Sequence, residues 1–294
     1  MNMRNYTGAL NRIRYRLLFH RRLLDVCRQS NSFSKDSRDS IQRIYAINLD
    51  RKPKRWSQVS NKLKRIKSRS DTSLFELSRR FSAIDARYLD EKIDSKMLCP
   101  YFTLADQLQV EPNPLIQIDE SSKAYKIKMT PQEIAIALSH IELWKKIASD
   151  NIPYTLILED DVYFERGFAN NLDAAWTDII NKSSQPFTFD ILFLSFQEVG
   201  IKPKTRIHED GLVHKPNCGI WQASGYVLSK VGAQKLLNML PAYGPVDLWL
   251  NLQFDKLDVY LINKPIIEQR VDVPSTNSYS IMPVLSQIGV STPI

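Results

Sequence analysis

The feature that most constrains the fold is a run of strand-forming residues that ends in three consecutive acids. Residues 154–158 are mostly apolar, they are followed by Glu159, Asp160 and Asp161, and apolar residues then resume. A continuous apolar run of this length is typical of a strand buried on both faces of an α/β sheet. Three unpaired carboxylates are too costly to bury in a core. The acids must therefore lie in a cleft, in water or around a cation.

Strand alternation gives these acids a predicted geometry. It places Glu159 and Asp161 on one side and Asp160 on the other, so that an acid-x-acid pair faces outward where the strand ends. In open α/β sheets this is the edge at which ligands bind. Carboxylate oxygens there suit Mg²⁺ or Mn²⁺, and these ions in turn suit a diphosphate. The alternative is an acidic turn that only solvates the end of a strand, and we favour metal binding.

Composition and charge set limits on the class of protein. The chain has 294 residues, 43% hydrophobic and 24% charged, which is ordinary for a soluble globular protein. The formal charge is +8, but residues 1–70 alone hold 19 Lys and Arg against 4 Asp and Glu, so the remainder is net acidic. Such a remainder repels nucleic-acid phosphate, and we expect no nucleic-acid partner.

The basic residues are concentrated in a predicted N-terminal extension, residues 1–40. Within it, residues 10–24 mix Arg with large apolar side chains, which suits a helix that lies on an anionic membrane surface. Nucleic acid is a competing partner for such an arm, and a helix packed on the domain's own surface is a third alternative. Residues 30–40 are polar and have the composition of a linker.

Cysteine usage and hydropathy predict a cytoplasmic protein. The three cysteines are widely spaced and form no CxxC pair, so neither a disulfide framework nor a zinc site is indicated. No apolar run approaches the roughly 18 residues that a membrane-spanning helix needs. We also find no apolar signal-peptide region followed by a small-residue cleavage site. Contact with a membrane is expected only at the periphery, at its inner face.

The first part of the predicted domain has the order of a nucleotide-binding unit. A strand at residues 43–49 is followed by a basic turn, a helix, a short strand at residues 81–84 and then Asp85. No Gly-x-Gly fingerprint accompanies it, so neither a dinucleotide site nor a P-loop is indicated. Residues 90–128 carry three prolines and little periodicity, which predicts an insertion or flexible loop.

Three further polar residues are candidates for the site. Thr130 and Glu133 have the spacing of a helix capping box, and Glu133 could equally contact a substrate. His140 lies on the same helical stripe, where a lone histidine is usually a packed, hydrogen-bonded residue. Asp247 follows a Gly-Pro turn and could either cap the next helix or act as a carboxylate beside an active site.

Several stretches of the chain, in consistent order, together resemble glycosyltransferase family 25. That family groups bacterial lipo-oligosaccharide galactosyltransferases with procollagen galactosyltransferase domains. The resemblance covers about residues 43–280 and is carried by residues 47–51, Arg55, 80–85, 130–140, Trp144, 158–162, 224–229, 232–233 and 245–247. The chain departs from the family at Ala135 and Ala137, where members usually have a glycine and often a cysteine. The added methyl groups could alter the fit of a substrate without removing chemistry.

The resemblance implies a fold and a reaction. The fold is GT-A-like, one α/β domain at residues 41–294 with a mostly parallel central sheet flanked by helices. The reaction is an inverting transfer of a hexose, with galactose favoured, from a UDP-sugar to a hydroxyl of a glycan, glycolipid or glycoprotein. A non-catalytic, cation-dependent carbohydrate- or nucleotide-binding protein of the same fold is the alternative.

The resemblance also implies roles for the candidate residues. Asp161 would bind Mn²⁺ or Mg²⁺, and Glu159 or Asp160 would contact the metal or the ribose. An inverting reaction needs a general base, for which Asp247 is the candidate. The nucleotide pocket would be lined by Asn48, Arg51 and Asp85, with Arg51 or Arg55 supplying positive charge to phosphate, and with Glu133 and His140 near the donor sugar.

Overall fold

A computed structural model describes residues 29–89, 93–114, 116, 124–182, 188–199, 211–270 and 279–287. The strands are β1 Gln29–Ser30, β2 Ile41–Asn48, β3 Lys67–Ser68, β4 Ser78–Ser82, β5 Leu98–Cys99, β6 Tyr101–Thr103, β7 Lys126–Lys128, β8 Tyr154–Glu159, β9 Val162–Phe164, β10 Ile191–Glu198, β11 Val213–His214, β12 Ile220–Ser229, β13 Ala242–Tyr243, β14 Val259–Ile262 and β15 Ile267–Gln269. The α-helices are α1 Pro53–Leu63, α2 Leu74–Leu77, α3 Leu104–Val110, α4 Pro131–Ser149, α5 Phe168–Lys182, α6 Lys230–Asn238, α7 Val246–Asn251 and α8 Ile281–Gln287.

A seven-stranded sheet in the order β11-β14-β10-β12-β8-β2-β4 forms the centre of the domain. Pairing is parallel between β4 and β2, β2 and β8, and β10 and β14, and antiparallel where β12 and β11 meet their neighbours. Five of the seven strands therefore run in the same direction. This confirms the predicted α/β domain with a mostly parallel sheet, whereas its GT-A class stays a prediction.

Strand β8 lies in the interior of this sheet, between β12 and β2. Leu156, Ile157 and Leu158 are each at most 1% exposed. Both strand edges are paired and both faces are covered, which is the environment that its continuous apolar run predicts. The strand therefore holds its carboxyl end, where the acids begin, in a fixed position.

Residues 29–40 pack on the domain, although their polar composition predicts a linker. Phe33 is fully buried and forms a bridge with Ile41 at the start of β2. The Asp173 carboxylate on α5 accepts hydrogen bonds from the hydroxyls of Ser30 and Ser32 at 2.7 Å. The serines are therefore buried partners of a helix, and the linker prediction is wrong for these residues. Residues 1–28, with the predicted membrane-surface segment, lie outside the described residues.

Residues 90–128 are predicted to be an insertion or a flexible loop, and the flexible-loop alternative is wrong for the part that the structure describes. That part contains β5, β6, β7 and α3, and Leu98, Phe102 and Leu104 are at most 2% exposed. The elements are short, so their apolar residues contribute to the core without any sustained periodicity. In the described ranges, no helix is both long enough and apolar enough to cross a membrane.

Candidate active site

The acids predicted from the sequence form a turn at the carboxyl end of β8. The strand ends at Glu159, and Asp160 and Asp161 form the turn that leads into β9. Arg55 Nη1 lies 3.0 Å from Asp160 Oδ1 and 3.5 Å from Asp161 Oδ2. One guanidinium thus reaches both aspartates, and the predicted placement of these two on opposite sides is wrong because strand geometry stops at Glu159.

Asp160 is the anchored member of this acidic turn. It is 8% exposed, and its Oδ2 accepts a hydrogen bond from Asn48 Nδ2 at 2.6 Å. Asn48 Nδ2 also donates to the Lys52 carbonyl, and Asn48 Oδ1 accepts from Arg80 Nε at 2.8 Å. Burial raises the pKa of Asp160, against the opposing effects of Asn48 and Arg55. Asn48, predicted to line a nucleotide pocket, is instead buried and positions this carboxylate.

Asp161 differs because one of its oxygens has no partner. Its Oδ2 accepts a long hydrogen bond from Gln269 Nε2 at 3.4 Å, whereas the buried Oδ1 has no hydrogen-bond donor among the described residues. Burial, followed by the charges of Glu159 and Asp160, raises the pKa of Asp161 to about 7. A carboxylate whose buried Oδ1 has no donor among the described residues, and which neighbouring acids repel, is suited to bind a cation.

Glu159 is the third acid, and it points away from Arg55 toward helix α4 and strand β12. Its Oε2 accepts a hydrogen bond from Ser224 Oγ at 2.8 Å, and its Oε1 lies 4.0 Å from His140 Nε2. Burial alone would raise the pKa of Glu159, but interactions with His140 and Ser224 and the charge of Arg55 outweigh it and lower the pKa. Glu159 is therefore ionised at neutral pH.

These acids fit a divalent ion only if further ligands come from elsewhere. Among the residues that the structure describes, no group of three or more His, Cys, Asp or Glu is arranged to hold a metal. Mg²⁺ is usually bound through one or two carboxylates together with water and substrate phosphates. Asp161, whose Oδ1 has no donor in the part of the chain that the structure describes, fits that second mode, and Glu159 is the acid beside it.

A cavity of about 130 Å³ lies beside Glu159, between the ends of β2 and β4 and the first turns of α4. The cavity is lined by Ile47, Leu49, Arg51, Ala83, Ile84, Ala86, Arg87, Gln132, Ala135, Ile136, Ser139, His140 and Glu159. Apolar residues make up about half of this set and polar or charged residues the other half, so the cavity combines apolar walls with groups that can bind a polar ligand. Ala135, where the chain departs from the family, lines the cavity directly.

Two arginines that line the cavity form ion pairs with Asp85. Arg51 Nε and Arg87 Nη2 each lie 2.8 Å from Asp85 Oδ2. The hydrogen bond from the Arg87 side chain, supported by its backbone N–H and by Arg51, holds the pKa of Asp85 well below its usual range. Arg51 and Asp85 are thus brought together at the cavity as predicted, whereas Arg55 is bound to the acidic turn.

Glu133 has a structural role, which was one of its two predicted roles. Its Oε2 accepts from the Thr130 N–H at 2.8 Å, and the Thr130 hydroxyl accepts from the Glu133 N–H at 3.2 Å, which completes a capping box. Its Oε1 accepts from the N–H and hydroxyl of Ser280. The buried carboxylate is engaged at both oxygens and does not line the cavity, which favours the capping role over a contact with substrate.

Asp247 lies in the first turn of α7, close to β12. Its Oδ1 accepts the backbone N–H of Leu248 at 3.0 Å, and its carboxylate also interacts with the backbone N–H of Gln222. Burial raises the pKa of Asp247 to about 6, and the charge of Glu159 contributes. Gln222 has φ 71, a left-handed conformation that is unfavourable for residues other than glycine. Asp247 therefore has the raised pKa and electrostatic coupling to the acidic turn that a base would need.

Sequence reasoning missed several partners of the site. Ser224 and Tyr226 lie on β12, where a local irregularity in the pairing with β10 occurs between Trp221 and Gly225. Gln269 approaches the acidic turn because β15 pairs with β9. A serine, a tyrosine or a glutamine in an apolar strand gives no local signal of such contacts, since they depend on which strands become neighbours.

Residues 41–250 match the profile of a family described as "Glycosyltransferase family 25 (LPS biosynthesis protein)". This match covers β2 to α7 and includes the acidic turn, the cavity and Asp247. The chain belongs to glycosyltransferase family 25. The resemblance seen in the sequence is thereby confirmed.

Individual relatives within family 25 are more distant. The chain is 27% identical over 225 residues to a protein of Bos taurus named "Probable inactive glycosyltransferase 25 family member 3", covering 76% of this chain and 33% of that protein. It is 27% identical over 237 residues to "Glycosyltransferase 25 family member" of Drosophila melanogaster, covering 80% and 34%. It is 29% identical over 198 residues to "Procollagen galactosyltransferase 2" of Homo sapiens, covering 66% and 29%. The chain thus spans about a third of the length of these relatives.

Proposed function

We propose that this chain is a metal-dependent, inverting hexosyltransferase that uses a UDP-sugar donor, with UDP-galactose favoured. The observation that carries the proposal is Asp161 Oδ1, a buried carboxylate oxygen without a donor among the described residues, just beyond the carboxyl end of β8, where Glu159 lines a cavity. Membership of glycosyltransferase family 25 supports the transfer of a sugar.

The cavity provides groups that suit a nucleoside diphosphate. Its walls include Ile47, Leu49 and Ala83, which would contact the faces of a base, and Arg51 and Arg87 stand at the rim. Both arginines are partly exposed, with 34% and 54% of their side-chain surface accessible, so they could turn toward phosphate oxygens without being pulled from a core. Arginine suits phosphate because its planar group donates two parallel hydrogen bonds.

A divalent ion, Mn²⁺ or Mg²⁺, would be held by Asp161 together with water and diphosphate oxygens, and the neighbouring Glu159 would add negative charge. When bound, it would neutralise the negative charge that grows on the diphosphate as the sugar departs. Asp160 would contribute by position, because its hydrogen bonds to Asn48 and Arg55 fix the turn that carries Asp161. Arg55 would also offset part of the charge of three adjacent acids.

Asp247 is proposed as the general base. In the reaction the acceptor hydroxyl loses its proton to the carboxylate, and its oxygen bonds to the anomeric carbon as the bond to UDP breaks. A carboxyl with a pKa of about 6 is mostly ionised at pH 7 and accepts a proton more readily than an ordinary aspartate. Two backbone N–H groups, from Leu248 and Gln222, would hold it in place.

The acceptor is proposed only by class, as a hydroxyl of a glycan, glycolipid or glycoprotein. Relatives named procollagen galactosyltransferases in Danio rerio and Homo sapiens support galactose as the sugar and a protein-linked acceptor. The family's description as LPS biosynthesis proteins supports a glycolipid instead. A cytoplasmic location and peripheral membrane contact through residues 10–24 stay predictions from the sequence.

A non-catalytic binding protein of the same fold is the second candidate. It is favoured by one observation, the name of the Bos taurus relative, which describes that protein as probably inactive. Such a protein would bind UDP or a glycan with the help of a cation but would release no UDP from a donor sugar. Turnover, and not binding, therefore separates the two candidates.

The experiment is an assay of UDP release across a panel of UDP-hexoses and acceptors, with Mn²⁺ present and after chelation. We expect turnover that needs Mn²⁺ and that the Asp161→Asn variant abolishes. Asp71→Asn is the matched control, because Asp71 is a surface acid in a pair with Lys67, of the kind that contributes little. Turnover that is equal with and without the metal, or that survives Asp161→Asn, would contradict the proposal.

A further inference from the structure

Three buried side chains lie behind the cavity and connect the core to Glu159. Trp144 and Tyr226 have no exposed surface and His140 is 1% exposed. Trp144 Nε1 lies 2.9 Å from the Tyr226 hydroxyl, and that hydroxyl lies 2.8 Å from His140 Nδ1. His140 Nε2 lies 4.0 Å from Glu159 Oε1. Helix α4 supplies the histidine and the tryptophan one turn apart, and β12 supplies the tyrosine between them.

The chemistry of these groups determines where the imidazole hydrogen lies. An indole nitrogen can only donate, so the Tyr226 oxygen accepts from Trp144. The phenol must then place its own hydrogen, and His140 Nδ1 is its hydrogen-bonding partner among the described residues. A hydrogen on Nδ1 would leave the buried phenol hydrogen without an acceptor among the described residues, which is unfavourable. Neutral His140 therefore accepts at Nδ1 and carries its hydrogen on Nε2.

The Nε2–H group then faces an acceptor across the wall of the cavity. Glu159 Oε2 is occupied by the Ser224 hydroxyl, which leaves Oε1 turned toward His140. A separation of 4.0 Å is too long for a direct hydrogen bond. It leaves room for one oxygen atom at about 2.8 Å from each group. A hydroxyl fits this position because it can accept from Nε2–H and donate to the carboxylate.

We propose that His140 and Glu159 form a binding site for one sugar hydroxyl, with Trp144 and Tyr226 fixing His140 as the donor. The ligand class is a ring hydroxyl of a nucleotide sugar, from either the ribose or the donor hexose. The inference rests on the proposed function, which places a UDP-sugar in this cavity. In this arrangement His140 is a binding residue and not a base, since Nε2 already carries a hydrogen, and Tyr226 and Trp144 are positioning residues.

The first test is independent of activity. Two-bond ¹H–¹⁵N correlation spectra show which imidazole nitrogen carries the hydrogen in each histidine, and His140→Gln assigns the signal. We expect the Nε2–H form for His140 in the wild-type protein and a mixture of forms in Tyr226→Phe. Tyr154→Phe is the matched control, because Tyr154 is a buried tyrosine at the opposite end of β8. A wild-type His140 with its hydrogen on Nδ1 would overturn the inference.

The second test measures binding of UDP, 2′-deoxy-UDP, 3′-deoxy-UDP and UDP-galactose, each with Mn²⁺. We expect His140→Leu to weaken, by about tenfold, only those ligands that carry the recognised hydroxyl. His140→Gln should keep most of the affinity, because its amide can place an N–H near the Nε2 position. An effect on UDP that vanishes with one deoxy analogue assigns the ribose, and an effect on UDP-galactose alone assigns the hexose.

Two results would count against the inference in distinguishable ways. Equal weakening of all four ligands by His140→Leu, or equal affinity of the Leu and Gln variants, would overturn the hydroxyl site while leaving the proposed function intact. Absence of any UDP binding by the wild-type protein would overturn the proposed function together with the hydroxyl site.

Discussion

Two aspartates at opposite edges of the central sheet have opposite surroundings. Asp190 directly precedes β10, at the edge of the sheet where the parallel strands begin (the amino edge), and it is 2% exposed. Its Oδ2 accepts hydrogen bonds from Lys235 Nζ at 2.6 Å and from the Asp258 N–H at 2.8 Å. Asp161 lies at the carboxyl edge, where its Oδ1 lacks a donor among the described residues. Among the described residues, the sheet thus satisfies its acid at one edge and leaves an acceptor without a donor at the other, which is where we propose that the cation binds.

The largest expected effect follows from removing the open acceptor. Asp161→Asn should lower UDP-sugar turnover by about 1,000-fold, the scale seen when a group that stabilises transition-state charge is lost. The free energy of unfolding should stay the same or rise, because a buried charge repelled by Glu159 and Asp160 is removed. Steady-state kinetics measures the loss of turnover, and denaturant unfolding measures the free energy of unfolding. An Asp161→Asn variant that is destabilised but active would show that Asp161 has a structural role and not a ligand-binding one.

The converse change is made at the amino edge. Asp190→Ala should lower the free energy of unfolding by about 3 kcal/mol, because Lys235 loses its partner and the Asp258 N–H loses its acceptor. The KM for the donor should be unchanged, since Asp190 is on the opposite edge from the cavity. Chemical denaturation measures the loss. A normal stability together with an altered KM would show that the amino edge is not merely structural.

The pH dependence of activity tests whether Asp247, near the carboxyl edge, acts as the general base. A base must be deprotonated, so kcat/KM at saturating Mn²⁺ should fall as the pH drops through about 6, the pKa of Asp247. One unit below that pKa the expected decrease is about tenfold. The profile of Asp247→Asn should lose this inflection along with most of its activity. A wild-type profile that is flat down to pH 5 would exclude Asp247 as the base.

The smallest effect is expected at Gln222, whose N–H contacts Asp247. Gln222→Gly should raise the free energy of unfolding by up to about 1 kcal/mol, because glycine adopts its left-handed backbone without strain. Gln222→Val should lower the free energy of unfolding. If both variants have wild-type stability in thermal unfolding, the strain does not exist in solution.

The sequence predicts a structural feature well when that feature depends only on residues that are close together in the chain. The apolar run of β8 and the Thr130 cap are local, and both were correctly predicted. The packing of residues 29–40 was not, because it depends on Asp173, more than a hundred residues away in the chain. Alternation also failed at Asp160, since no local signal shows where a strand gives way to a turn.

The site was predicted in part for the same reason. The acidic turn, Arg51 and Asp85 could be located from residue types beside strand ends. The environment of each acid could not be predicted, because Asp161 contacts β15 and Glu159 contacts β12, and both strands are distant from the acids in sequence. Those long-range contacts decide which acid is anchored and which is open to a ligand.

The most direct test of the central claim is calorimetry of UDP binding to the wild-type protein and to Asp161→Asn, each with Mn²⁺ and with a chelator. We predict that Mn²⁺ strengthens UDP binding to the wild-type protein by tenfold or more, about 1.4 kcal/mol, and has no such effect on the variant. UDP affinity that is indifferent to Mn²⁺ in the wild-type protein, or equally Mn²⁺-dependent in both, would contradict the claim that Asp161 holds a cation against the diphosphate.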